Sequence, residues 1–151
     1  MIRNLETRED VQILRGIEAY ELPLLLRAEA KPAVVKQIIN QELVANFHKV
    51  TGDLVKSAIA KRVEHGIAIK NLLTYADPVR EIEKTNPDTL KESRMMPVSF
   101  RFDIILAVFR DFVAVTKLDA ADCKGYVVRD ELIAKSFESV FNVLWTDAEI
   151  V

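Results

Sequence analysis

The sequence predicts an α+β fold, with a long helix and a C-terminal helix packed on a small, mainly antiparallel sheet. Three observations predict it. Val35, Ile39, Leu43, Phe47 and Val50 form one helix-period stripe that closes just before Gly52. Ile133, Phe137, Val140, Phe141 and Leu144 form a second stripe, preceded by Asp130 as a cap. Between the two, residues 58–70 and 98–104 alternate with a period of two, as strands do. The scarcity of Gly (4) and Pro (5) in 151 residues favours long helices, while abundant Val and Ile favour strands. An all-α helical bundle is therefore the alternative. Residues 1–151 read as a single domain, long enough to bury a core.

Thr7 with Glu9 and Asp10 marks a helix start, because a capping hydroxyl and acids in the first turn satisfy the orphan amides. Val11, Leu14 and Ile17 then repeat at helical spacing, and Pro23 ends or kinks the helix. Pro32 suits the first turn of a second helix over 33–50, and Gly52 suits a left-handed stop with positive φ. From Ser57 onward two readings compete. As a helix, Val55, Ile59, Val63 and Leu73 share a face on which Arg62 and Lys70 intrude. As a hairpin, Ile59, Lys61 and Val63 turn at Glu64-His65-Gly66 into Ile67 and Ile69. The hairpin is preferred, because burying two cations is costly. Residues 80–96 read as a charged surface loop with one helical turn. Val98, Phe100, Phe102 and Ile104 read as a strand with 112–118 as partner, against a buried-helix alternative. Asp130 opens the final helix, expected to bury Ile133, Phe137, Phe141 and Leu144.

The chemistry of the chain is sparse. His48 and His65 lie 17 apart, unlike a helical metal pair. Solvated positions are the plainer reading for both. The single cysteine, Cys123, excludes an internal disulfide framework and reads as a small buried thiol, for want of a neighbouring base. Four glycines can hardly supply a phosphate loop. A net charge of −2 with interspersed signs argues against a broad basic face for nucleic acid. The apolar runs are too short to span a bilayer, and the charged first ten residues do not read as a signal peptide. The expectation is a protein of the reducing cytoplasm, or of a particle assembled there, that is not an enzyme and carries no cofactor or metal.

Thr51-Gly52-Asp53-Leu54 followed by Ser57, then Gly66, Ile67, Ile69 and Tyr75-Ala76, then residues 125–132 (GYVVRDEL), stand in an order that resembles the tail-completion and head–tail joining (neck) proteins of long-tailed phages. That resemblance implies a structural virion protein forming a homo-oligomeric, usually hexameric, ring between capsid connector and tail. Its fold-motif positions would be Thr51, Gly52, Leu54, Ser57, Tyr75 and Ala76. Its partners would be itself, the head-completion or connector protein, and the tail terminator or tail tube protein, with no membrane and no sequence-specific nucleic acid. Lys61, Arg101 and Asp103, placed on strand faces, are the candidate interface residues. The rival expectation is a cytoplasmic helical sensor or regulatory domain. It would bind a small apolar ligand along 104–115, or a protein partner.

Overall fold

In the computed structural model, residues 10–16, 18–19, 34–74, 84–97, 99–117 and 123–151 are described, 42–51 by backbone alone. The strands are β1 (Val11–Arg15), β2 (Val35–Asn40), β3 (Ile69–Thr74), β4 (Lys91–Met95), β5 (Ile105–Phe109), β6 (Phe112–Lys117), β7 (Lys124–Arg129) and β8 (Glu149–Ile150). The helices are α1 (Gln41–Glu64) and α2 (Glu131–Asp147). All eight strands join one sheet in the order β1-β7-β6-β5-β2-β3-β4-β8. Strands β2, β3 and β4 are parallel neighbours, and every other pairing is antiparallel. A parallel pair cannot be joined by a tight turn, so α1 returns the chain from the end of β2 to the start of β3.

This is a large mixed sheet with helices, and it corrects both expected architectures, the small antiparallel sheet and the all-α bundle. The cause lies in the central strands. Val35, Ile38, Ile39, Leu72 and Leu73 are almost wholly buried, and they point alternately to both faces of the sheet. A strand covered on both faces loses its period-two signature and reads as a continuous apolar run. Val35 and Ile39 thus matched a helical stripe by accident, and the helix begins only at Gln41.

Several boundaries move for related reasons. Of the expected first helix, residues 11–15 form strand β1, paired with β7, and Thr7, Ile17 and Pro23 fall outside the described residues. The expected hairpin over 57–70 is the last two turns of α1, a turn at Gly66 with φ +67°, and the opening of β3. The strand expected over 98–104 is shifted to 105–109, where Arg110 and Asp111 turn it into β6. Residues 112–117 do form its partner. The 80–96 loop holds a short 3₁₀ turn at Pro87–Thr89, capped by the Asn86 side chain, and then β4.

Gly52 is not a helix stop. It lies inside the 24-residue α1, so the positive φ expected for it is absent. In α2 the Asp130 cap is present, its carboxylate accepting from the Ile133 amide at 3.0 Å. The buried face, however, is Ala134, Phe141 and Trp145, with Leu144 half-buried. Ile133 and Phe137, expected inside, are 41% and 40% exposed. Phe141 and Trp145 stack on one another and pack on Ile38, Leu72, Leu106, Val108 and Val113. The opposite face of the sheet carries Leu14, Val35, Ile69, Ala107, Phe109, Phe112, Ala114 and Val127, with Cys123 packed against them.

Candidate functional site

Polar side chains inside this sheet are few, and they gather on the parallel strands. Gln37, Asn71 and Ser93 stand in register on β2, β3 and β4, on the face opposite α2. Gln37 Nε2 donates to Asn71 Oδ1 at 3.0 Å, and all three residues are buried. Ser93 uses its backbone, its amide donating to the Thr85 hydroxyl oxygen at 2.9 Å. Its own Oγ is fully buried and has no partner among the described residues. A buried hydroxyl left unpaired costs about 1–3 kcal/mol.

A second group closes the carboxyl end of the same strands. Asn40 and Thr74 pair in register, Gln41 follows Asn40 into the first turn of α1, and Thr116 opposes Ile105 two strands away. All four are buried. The Thr74 hydroxyl sits 3.4 Å from the Ile39 and Phe102 carbonyl oxygens, which ties residues 99–104 to the strand ends. Phe100 and Phe102 stack within that segment, and the Met96 amide donates to the Leu73 carbonyl. None of these site side chains carries a formal charge. They are amides and hydroxyls, able to donate and to accept, and suited to recognising neutral hydrogen-bonding groups. In parallel α/β sheets ligands bind beyond the carboxyl ends of the strands.

The other end of the parallel strands is fastened by Arg62. Its guanidinium is buried in the last turn of α1 and donates to the Ile67 carbonyl at 2.6 Å and the Thr89 carbonyl at 2.7 Å. Burial lowers its pKa. Reading 57–64 as strand rested on keeping this cation off an apolar face. The structure buries it there and satisfies it with carbonyls. On the α2 face, Arg94 and Lys70 both lie over the Trp145 ring, at 4.4 Å and 5.4 Å from its centroid.

The sequence-derived positions are scattered. Thr51, Gly52, Leu54 and Ser57 are interior residues of α1, so the expected order of helix, Thr-Gly-x-Leu and strand is not what these residues form. Tyr75 and Ala76 fall outside the described residues. Lys61 is on α1 near the Arg62 end, not on a strand face. Arg101 and Asp103 are exposed in the segment before β5, at the opposite end of the sheet. The three proposed interface residues are therefore not brought together. His65 follows α1, and the side chain of His48 is outside the description. Among the described residues no three His, Cys, Asp or Glu side chains gather to hold a metal. The polar row escaped sequence reasoning because Gln37 and Asn71 each follow a lysine, and so read as part of an ordinary solvated polar pair. A polar residue leading directly into Ile-Ile or Leu-Leu was the available signal.

No family model and no curated protein matches the chain. Its fold recurs in solved structures. The archaeal chromatin protein TrmBL2, described as showing a novel mode of DNA binding, matches over the whole of this chain with TM-score 0.63 and 19% identity. This chain spans 57% of the length of that protein. The phospholipase D family member Nuc from Salmonella typhimurium matches with TM-score 0.64 and 11% identity, covering 92% of this chain and 95% of its own. NucT from Helicobacter pylori matches with TM-score 0.62 and 9% identity, covering 93% and 98%. At these identities the likeness establishes the fold alone.

Proposed function

We propose that this chain is a non-catalytic regulatory domain that binds a small, neutral, hydrogen-bonding ligand at the carboxyl end of β2, β3 and β4. The carrying observation is the group of buried, uncharged donors and acceptors at that end, Asn40, Gln41 and Thr74, while the Gln37–Asn71 pair lies on the opposite face of the same strands. A ligand would enter by displacing residues 99–104, whose Phe102 carbonyl accepts from the Thr74 hydroxyl at 3.4 Å. The length relation to the archaeal chromatin protein supports a module role, since there the same fold is one part of a longer chain.

This reading changes the sensor expectation in two respects. The scaffold is a sheet, and the apolar segment 104–115 is filled core instead of a pocket wall. The neck-ring reading gains no support, as the matching structures reported above include no phage neck protein. A thermal-shift screen tests the proposal, with glucose, glycerol, glutamine and uridine as probes at millimolar concentration. A ligand present at 100 times its Kd stabilises the native state by about 2.7 kcal/mol. The expected result is a concentration-dependent rise in Tm for one class of probe, lost in Asn40→Leu and Thr74→Val. No rise with any probe, or hydrolysis of bis-p-nitrophenyl phosphate by the purified chain, overturns the proposal.

A further inference from the structure

The sheet ends differently at its two margins. At one margin β8 spans only two residues, and Val151 just after it is held by the Ser93 carbonyl and the Thr85 amide. So short and tied an edge is a poor template for a further strand. At the other margin stands β1, five residues long, with no strand beyond it among the described residues. Its hydrogen bonds to β7 run through alternate residues. The Arg129 amide donates to the Asp10 carbonyl at 2.7 Å and the Gly16 amide to the Cys123 carbonyl at 3.3 Å, both continuing the β1–β7 register. In an antiparallel ladder hydrogen-bonded pairs alternate with pairs that are not. Asp10, Gln12, Leu14 and Gly16 therefore turn their backbone groups toward β7. The N–H and C=O groups of Val11, Ile13 and Arg15 point the other way, out of the sheet.

Those outward groups have no hydrogen-bond partner among the described residues. Val11 and Ile13 are 56% and 58% exposed, and no proline, bulge or charge interrupts residues 11–14. Sheets usually guard an edge of this kind with one of those devices. A strand edge left open offers a row of donors and acceptors that only another extended backbone can match.

We infer that β1 pairs antiparallel with β1 of a second copy of this chain, across a two-fold axis, so that two eight-stranded sheets join into one. The backbone selects both occupant and register. Identical strands laid antiparallel form an isologous contact, in which each copy offers the same groups to the other. The axis stands perpendicular to the sheet, so opposed side chains share a face. Centred on Ile13, the pairing sets Ile13 opposite the partner's Ile13 and Val11 opposite the partner's Arg15. Every outward group of Val11, Ile13 and Arg15 is then matched. A pairing centred on Gln12 would use only Val11 and Ile13 of the strand. No like charges oppose one another in the Ile13 register, since Asp10 falls opposite the partner's Gly16. The two Ile13 side chains meet on the axis, which withdraws the most exposed residue of the apolar run from water. The inference is independent of the ligand proposed at the ends of β2, β3 and β4, because β7, β6 and β5 stand between those strands and β1.

Sedimentation equilibrium of the full chain tests it, with circular dichroism as the control for folding. The wild type is expected to dimerise at submillimolar concentration. Ile13→Pro removes an outward donor and leaves the β7 ladder intact, and an edge strand tolerates proline where the N–H faces away from the sheet. The variant is expected to stay folded. The site repeats across the axis, so two hydrogen bonds go, and the dimer should weaken at least ~10-fold. A cross-link reads the register without relying on that variant. Ile13→Cys in a Cys123→Ser background should form an intermolecular disulfide on mild oxidation, because opposed Cα atoms of a hydrogen-bonded pair lie about 5.5 Å apart. Val11→Cys, which stands opposite Arg15, should not link to itself. A wild type that stays monomeric overturns the inference, as does a dimer indifferent to Ile13→Pro. Self-linking of Val11→Cys in place of Ile13→Cys overturns the register. Slow amide exchange at Ile13 in a monomer would assign the edge to another part of the same chain, and overturns the pairing between copies.

Discussion

Replacing Arg62 with methionine is the sharpest probe of how the sheet is held. The guanidinium makes two hydrogen bonds, to the Ile67 and Thr89 carbonyls at 2.6 and 2.7 Å. Bonds from a charged donor contribute about 1.5–3 kcal/mol each, so the gross loss is about 3–6 kcal/mol. Methionine fills similar space and removes the cost of holding a charge out of water, a cost visible as the lowered Arg62 pKa. Replacing buried ionic groups by apolar ones can return about 1–4 kcal/mol. Two carbonyls lose their donor, however, so the net loss should be roughly 2–4 kcal/mol. For a domain of this length each kcal/mol shifts Tm by about 2–4 °C. Urea unfolding followed by circular dichroism measures the difference at constant m-value. Arg62→Lys should lose nearly as much, because an ammonium lacks the planar fork that spans two carbonyls. An Arg62→Met protein within about 0.5 kcal/mol of wild type would refute the view that this residue fastens α1 to β3 and the 3₁₀ turn.

Gly52→Ala should stabilise the protein by about 0.5–1 kcal/mol, because the position is helical and an added Cβ meets nothing within 4 Å; a lower Tm would restore the idea of a break there. Gly125→Ala should destabilise by roughly 1–3 kcal/mol, since its Cβ would come within 3.1 Å of the Ala19 backbone. Thermal unfolding of the variant reads this directly. Phe141→Ala should cost ~3–5 kcal/mol and Phe137→Ala well under half of that, as one is buried and the other lies at the surface. Equal losses in denaturant titrations would mean that α2 is rotated from the arrangement described.

Strand β6 and the Asp130-capped α2 stood near where the sequence put them, the helix because Asp130 has a specific job at a helix start. The register of α2 was misjudged, since its apolar residues cover more than one flank and only tertiary packing selects Phe141 over Phe137. The central strands were unreadable for a different reason. Val35, Ile38 and Ile39 are buried on both faces, so no alternation survives to separate strand from helix. Of the candidate site, Asn71 looked like half of a solvated polar pair and Thr74 like a minor polar interruption of an apolar run. Only strand pairing, which sequence periodicity does not report, brings Asn71 beside Gln37 and Thr74 beside Asn40.

The pairing of β1 with β7 has a consequence for synthesis. The first described strand finds its partner only near the far end of the chain. At about 5–20 residues per second, a ribosome leaves β1 waiting roughly 5–20 s before β7 exists. During that interval Val11, Ile13 and Leu14 emerge as a short sticky segment with no place to go. Non-local pairing of this kind also slows folding once the chain is complete. Asp10 and Arg15, one at each end of the waiting strand, supply the flanking charges that keep such segments from joining their neighbours on a polysome.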